Sequence, residues 1–335
     1  MTEITTTDYH TGGEPFRIVT GGVPVLEGRT VPERRRWAAA NLDHVRQLLV
    51  NEPRGHADMY GCFVTPADDE SADLGVVFFH NEGYSTACGH GTIALVTWAI
   101  DSGRIAVEPA AREVDVTVDV PSGRLACTAR LDDAGRVEHV RFRNVPSFVL
   151  ARDVAIETSR GRLDVDVAFG GAFYGSIDVR GLGLRIEPAA LPGLIALQRE
   201  LRPALDGLLD VAHPDEPDLN GIYGVIFWEP IGGGPLTHRN VTVFADGEVD
   251  RSPCGSGTSA RLAILQDRGE IGVGQRLLHR SIIDSVFDAR VIEAGPAIGG
   301  HPTVITEVGG AAFKTGEHTF TLDQRDPLGT GFLLR

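Results

Sequence analysis

The chain of 335 residues carries 46 acidic against 31 basic side chains, a formal charge of -15, with 42% hydrophobic and 23% charged residues. That length outgrows a single hydrophobic core and is enough for two domains; the composition is that of an ordinary globular chain and excludes disordered and fibrous classes. The acidic balance argues against nucleic acid or an anionic membrane as partner, because both attract a basic face.

The polar N-terminus MTEITTTDYH lacks the basic start and apolar stretch of a secretory signal, and no apolar run reaches the roughly 18 residues of a membrane span, so a cytoplasmic protein is expected. Residues 33 to 49, after Pro32, show the apolar spacing of one amphipathic helix, with Arg34 to Arg36 as its solvated face. Residues 75 to 80, 113 to 120, 125 to 131, 137 to 142 and 240 to 245 alternate or cluster β-branched residues between turn signals and read as strands; residues 191 to 208 read as a second helix. The fold class is therefore α+β, rich in strand.

A repeat organises the chain. CGHGTIA at residues 88 to 94 returns as CGSGTSA at residues 254 to 260, within a longer shared pattern C-G-x-G-T-x-A-x6-D-x-G-x-I that aligns without a gap. Each copy reads as strand, loop, then helix, ending at a glycine (Gly103, Gly269) suited to a left-handed cap. GTIALVTWAI is apolar on nearly every face and GTSARLAIL mostly so, and a helix with no wet side must be enclosed, here by a sheet wrapped around each copy. More faintly, HTGGEPFRIV at residue 10 resembles FGGAFYGSIDV at residue 169. The division that follows is a first half of residues 1–165 carrying Cys88, a second of residues 166–309 carrying Cys254, and residues 310–335 crossing back to complete the first.

The paired cysteines suggest chemistry. Glycine-rich helix starts bring backbone N–H groups forward and add the positive end of the helix dipole, which lowers a cysteine pKa toward neutrality and favours a bound carboxylate. The N–H groups of Gly89, His90, Gly255 and Ser256 are the candidate carboxylate donors, and Asp250 the candidate acceptor for a substrate ammonium. Two thiols on opposite faces of one carbon allow one to remove a proton while the other delivers one, inverting the centre. Cys62 and Cys127 lack such glycine-rich neighbours and read as packing residues; the four cysteines have no CxxC pair, which suits reduced thiols. Metal and nucleotide readings fail: the eleven histidines form no HExxH, and Gly232 to Gly234 lacks the ending of a phosphate loop.

EPRGHADMYG (52 to 61), ACGHGTIA (87 to 94) and DRSPCGSGTSAR (250 to 261) resemble the proline racemase family, which includes hydroxyproline 2-epimerases and trans-3-hydroxy-L-proline dehydratases; TGEHTFTLDQRDPLGTGF near the end extends the likeness along the chain. The resemblance implies the diaminopimelate epimerase-like fold, two pseudo-symmetric halves with the active site in the cleft between them, no cofactor, no metal, a small-molecule substrate and a homodimer. It implies Cys88 and Cys254 as the two bases, Gly89, His90, Gly255 and Ser256 on the substrate carboxylate, and Asp250 on the ring nitrogen. Family dehydratases usually carry threonine at the second cysteine, so Cys254 favours a racemase or epimerase of proline or hydroxyproline. Ala87 and Ser256 depart from the methionine and threonine common there and bear on ring specificity. The alternatives are dehydration of trans-3-hydroxy-L-proline, and a non-enzymatic amino-acid-binding or thiol redox-switch protein.

Overall fold

The computed structural model describes residues 2–232 and 234–334; Met1, Arg335 and Gly233, within the Gly232 to Gly234 run, lie outside them. The chain divides into two compact units, Met1–Arg141 with Ala311–Arg335, and Phe142–Gly310. The elements in chain order are β1 (Thr2–Thr11), β2 (Glu14–Gly21), α1 (Val31–Asn41), α2 (Asp43–Val50), β3 (Tyr60–Thr65), β4 (Leu74–His80), α3 (Gly89–Asp101), β5 (Glu113–Val120) and β6 (Gly123–Leu131). β7 (Val137–Arg143) runs across the division. The second unit holds β8 (Ser147–Thr158), β9 (Gly161–Phe169), β10 (Phe173–Asp178), α4 (Leu191–Leu208), β11 (Ile222–Ile231), β12 (Thr237–Phe244) and β13 (Glu248–Asp250). It continues with α5 (Gly255–Asp267), β14 (Arg276–Arg280), β15 (Val286–Ile298) and β16 (His301–Gly310); β17 (Ala312–Leu322) returns to the first unit. Gly161–Phe169, where the sequence put its boundary, pairs with β8 as a hairpin of the second unit.

Both units repeat one plan. In the first, β1 and β2 form an antiparallel hairpin, β3 joins parallel to β2, β4 antiparallel to β3, β5 parallel to β4 and β6 antiparallel to β5, while β17 pairs with β1. In the second, β9 and β10 form the hairpin, followed by parallel β11, antiparallel β12, parallel β14 and antiparallel β15. β16 then pairs with β15 and with β8, and β8 with β9, so the ring of strands closes on itself. Closure removes sheet edges and leaves an interior that side chains must fill.

Each interior is filled by a helix. α3 touches β1, β2, β3, β6 and β17, and every residue from Gly89 to Ile100 is buried. α5 touches β8, β9, β10, β15 and β16, and every residue from Gly255 to Leu265 is buried. α5 is not wholly apolar: Arg261, 1% exposed, lies over the Trp228 ring at 3.6 Å, and Thr258 Oγ1 lies 2.8 Å from His279 Nδ1. Gly103 and Gly269 follow the two helices with φ of +70° each, and after the second the Glu270 N–H closes on Leu265 O at 2.8 Å.

Two readings of the N-terminal helical region need correction. Residues 33 to 49 are two helices, not one, broken at Leu42, whose φ of -119° and ψ of 11° leave the helical well. The break lets buried Arg46 reach the carbonyls of His80 and Asn81 while pairing with Asp43. Arg34 is not solvated either: its guanidinium donates to Gly28 O, Arg29 O and Pro66 O and pairs with Asp68, because the loop before α1 and the loop after β3 offer carbonyls that no regular element satisfies. α4 spans residues 191 to 208 and buries Leu194, Leu197, Leu201 and Leu205 on one face.

Nothing lies within 4 Å of where a Cβ would stand on Gly103 or Gly269, so the cost of a side chain there is in the backbone alone. Gly103→Ala and Gly269→Ala are each expected to lose about 1–2 kcal/mol. Urea unfolding checks this as a lower midpoint at an unchanged slope.

Candidate active site

Cys88 caps α3. Its backbone is extended (φ -153°, ψ 97°) and its Sγ accepts from Gly91 N at 3.2 Å, so the thiol replaces the oxygen of an ordinary N-cap. A Cβ on Gly91 would stand 2.6 Å from this sulfur and 2.4 Å from the Phe16 ring, so only glycine lets the sulfur approach the helix start. The His90 ring nitrogens lie 3.4 and 3.6 Å from Sγ. That ring is held edge-on by Phe16 and Tyr60, at centroid distances of 5.7 and 5.0 Å. The His90 carbonyl accepts from Thr11 Oγ1 at 2.9 Å, which ties the helix start to the end of β1. Cys88, Gly89 and His90 are thus brought together and buried, and helix geometry directs the N–H groups of this first turn outward along the axis.

Cys254 stands at the N-cap position of α5 with a different backbone and without a side-chain cap hydrogen bond. Its φ of 62° and ψ of 107° are rare for a residue with a Cβ, a strain of about 1–3 kcal/mol that surrounding contacts must hold. They do: Cys254 N donates to Ser252 Oγ at 3.1 Å, Ser252 N donates to Asp250 Oδ1 at 2.8 Å, and Asp250 is fixed by pairing of β13 with β12 at Thr242. Asp250, Cys254, Gly255 and Ser256 are all buried in one place. A Cβ on Gly257 would stand 3.0 Å from Cys254 Sγ, the counterpart of Gly91.

The electrostatics of the second cap correct an expectation. The helix start was expected to lower the Cys254 pKa, but the thiol is pushed up to about 12, first by burial and then by the Asp250 charge. The N–H of Gly257 and the hydroxyls of Thr242 and Tyr174 pull the other way and do not prevail. Cys254 is accordingly a thiol at neutral pH, an acid rather than a ready base. Asp250 is itself raised to about 6, again chiefly by burial, with Ser252 opposing.

Tyr174 is a residue the sequence did not assign. It lies in GGAFYG, which drew notice as part of a repeat and of the family likeness but not as a site, yet its hydroxyl is 2.7 Å from Ser256 Oγ and 3.9 Å from Cys254 Sγ. The signal available was an aromatic with a polar end next to the glycines of a β-hairpin. Cys62 in β3 and Cys127 in β6 are fully buried, and burial holds both thiols far up the thiol range. Among the described residues no group of three His, Cys, Asp or Glu side chains could hold a metal ion, and no helix is long and apolar enough to cross a membrane.

Two α+β units of one plan, each enclosing a helix that begins at a free cysteine, define a class of internally duplicated enzyme. The chain belongs to the proline racemase family, whose sequence model matches residues 6–333. It is 44% identical over 330 residues to a trans-3-hydroxy-L-proline dehydratase of Bacillus thuringiensis subsp. konkukian, covering 98% of each chain. It is equally 44% identical over 336 residues to a 3-hydroxyproline 2-epimerase of Burkholderia multivorans, covering 99% of this chain and 98% of that one. A crystal structure of a hydroxyproline epimerase from Agrobacterium vitis with bound trans-4-hydroxy-L-proline superposes with a TM-score of 0.91 at 35% identity, over 99% of this chain and 96% of the other.

Asp250 gives a signed prediction. Its folded pKa of about 6 lies above the ordinary 3.8, so its contribution to stability is complete below pH 4 and lost as the pH rises through 6, leaving a buried carboxylate at pH 8. Asp250→Asn is expected to stabilise the ligand-free protein at pH 8 by about 2–3 kcal/mol, and hardly at all at pH 4. Thermal unfolding at the two pH values measures this; a variant less stable at pH 8 contradicts it.

Proposed function

We propose that the protein inverts Cα of proline or a hydroxyproline, without a cofactor, by proton transfer between Cys88 and Cys254 across the cleft between its two units. The observation that carries the reading is the duplication itself: two buried, free cysteines, each the N-cap of a wholly enclosed helix with a glycine three residues on. In this reading the substrate carboxylate takes N–H donors from Gly89, His90, Gly255 and Ser256, and Asp250 accepts from the ring nitrogen. One sulfur, as thiolate, takes the Cα proton; the electron pair passes to the carboxylate, where the helix-start N–H groups stabilise the developing charge. The other sulfur delivers its S–H proton to the opposite face, and the two sulfurs have exchanged roles. The raised Cys254 thiol begins the cycle as the acid, which leaves Cys88 as the base in that direction. The same reading makes the enzyme a cytoplasmic homodimer. The bound trans-4-hydroxy-L-proline of the Agrobacterium vitis structure and the name of the Burkholderia multivorans relative support the substrate class.

A second reading is favoured by the dehydratase relatives, no less similar than the epimerase. One thiolate removes the Cα proton of trans-3-hydroxy-L-proline, the electron pair forms the Cα–Cβ double bond, and the C3 hydroxyl leaves as water with a proton from the enzyme. The enamine formed tautomerises to a cyclic imine. Protonated Cys254 suits the acid role in either reaction.

One incubation in D2O separates the readings. With L-proline, trans-4-hydroxy-L-proline and trans-3-hydroxy-L-proline offered in turn, the leading reading expects the C2 epimer carrying one deuterium at Cα, and the second expects cyclic imine from the 3-hydroxy substrate alone. Cys88→Ser and Cys254→Ser are each expected to slow inversion by about 10²–10⁴-fold. Inversion retained in either single variant overturns the two-thiol mechanism.

A further inference from the structure

At the start of α5 one sulfur and two oxygens form a closed triangle. Tyr174 Oη lies 2.7 Å from Ser256 Oγ and 3.9 Å from Cys254 Sγ, and that sulfur lies 4.0 Å from Ser256 Oγ. All three residues belong to the second unit and are buried, Tyr174 being 1%, Ser256 4% and Cys254 6% exposed. The three are positioned independently, Tyr174 by β10 and the other two by the cap and first turn of α5. A hydroxyl carries one hydrogen and two acceptor sites and can turn its hydrogen without moving its oxygen.

We propose that Tyr174 and Ser256 act as a hydroxyl rotor that solvates Cys254 alternately as thiol and as thiolate, which makes both of them positioning residues for the proton transfer. This rests on the two-thiol reading, in which Cys254 takes both forms in every cycle. In the thiol state, S–H donates to Tyr174 Oη and the phenol donates to Ser256 Oγ. In the thiolate state, the phenol turns to donate to Sγ and the Ser256 hydroxyl donates to Tyr174 Oη. No proton leaves its oxygen; only the hydrogen bond between the two hydroxyls reverses. The present heavy-atom positions satisfy the thiol state, with Sγ donating to Tyr174 Oη; the thiolate state asks the phenol hydroxyl to turn toward Sγ, a small change for a buried sulfur whose charge comes and goes.

Other groups of the second unit act on the Cys254 charge beside the phenol. Asp250 on β13 opposes the thiolate, with Arg251 beside it acting on Asp250. The Gly257 N–H on α5 and the Thr242 hydroxyl on β12 favour the thiolate. Tyr223 on β11 presents its ring edge-on to Tyr174 at 5.8 Å and stacks on Phe244, which fixes the phenol plane. Burial and the neighbouring sulfur hold the Tyr174 hydroxyl far above the ordinary tyrosine range, so it remains a donor throughout.

The test needs no substrate, so its failure is distinct from failure of the proposed reaction. In a Cys88→Ala background, the rate of Cys254 alkylation by iodoacetamide is followed from pH 7 to about pH 10.4 by peptide mass spectrometry; the rate tracks the thiolate fraction. Tyr174→Phe removes the donor to the thiolate and is expected to slow alkylation about tenfold at each pH, an upward shift of roughly one pH unit. Ser256→Ala removes a bond present in both charge states and is expected to leave the profile in place. A Tyr174→Phe profile superimposed on the parent, or an equal upward shift from Ser256→Ala, overturns the rotor. Should Tyr174→Phe fail to fold by circular dichroism, 3-fluorotyrosine at position 174 replaces it. Its more acidic phenol is expected to shift the profile to lower pH, and an unmoved profile overturns the proposal.

Discussion

A sulfur buried at the first turn of an enclosed helix is the constraint on which the rest depends. The helix start supplies N–H groups and the positive end of a dipole, which an anion needs; enclosure removes the water that would otherwise screen them. The cost is that the same enclosure disfavours the charged sulfur, and at Cys254 this cost exceeds the gain. The fold meets the enclosure requirement with strands on all sides. In the second unit the ring β8–β9–β10–β11–β12–β14–β15–β16 closes completely around α5.

The two caps are duplicates in sequence and differ in physics. Cys88 takes an extended backbone and turns its sulfur onto Gly91 N, whereas Cys254 has positive φ and is held through Ser252 and Asp250. A buried carboxylate four residues before Cys254 helps to raise that sulfur's pKa. The proposed reaction starts with one thiol and one thiolate, and a carboxylate beside one sulfur only would favour that state. The strain at Cys254 fits the same account: a sparsely populated conformation persists only where neighbours overdetermine it.

Much of this was legible in the chain because it depends on local rules. The C-G-x-G-T repeat fixes where two enclosed helices begin, Gly103 and Gly269 mark where they end, and alternation in EVDVTVDV marks β5. What stayed hidden depends on distant neighbours. The direction of the Cys254 shift follows from burial among residues of β8 to β11, which spacing does not reveal. Arg34 is buried where loop carbonyls from residues 28, 29 and 66 converge on it, and Arg46, in the helix after the break at Leu42, meets carbonyls of residues 80 and 81. Tyr174 meets Ser256 only after the sheet has closed.

The central claim is that sulfur 88 and sulfur 254 flank one carbon. Its most direct measurement is a crystal structure with pyrrole-2-carboxylate, whose planar ring carbon stands in for the flattened Cα during proton transfer. The account predicts the two sulfurs on opposite faces of that carbon, each within about 3.5–4 Å, with the carboxylate against the N–H groups of both helix starts. A ligand that touches one sulfur alone, or two sulfurs that open into separate cavities in the complex, contradicts it.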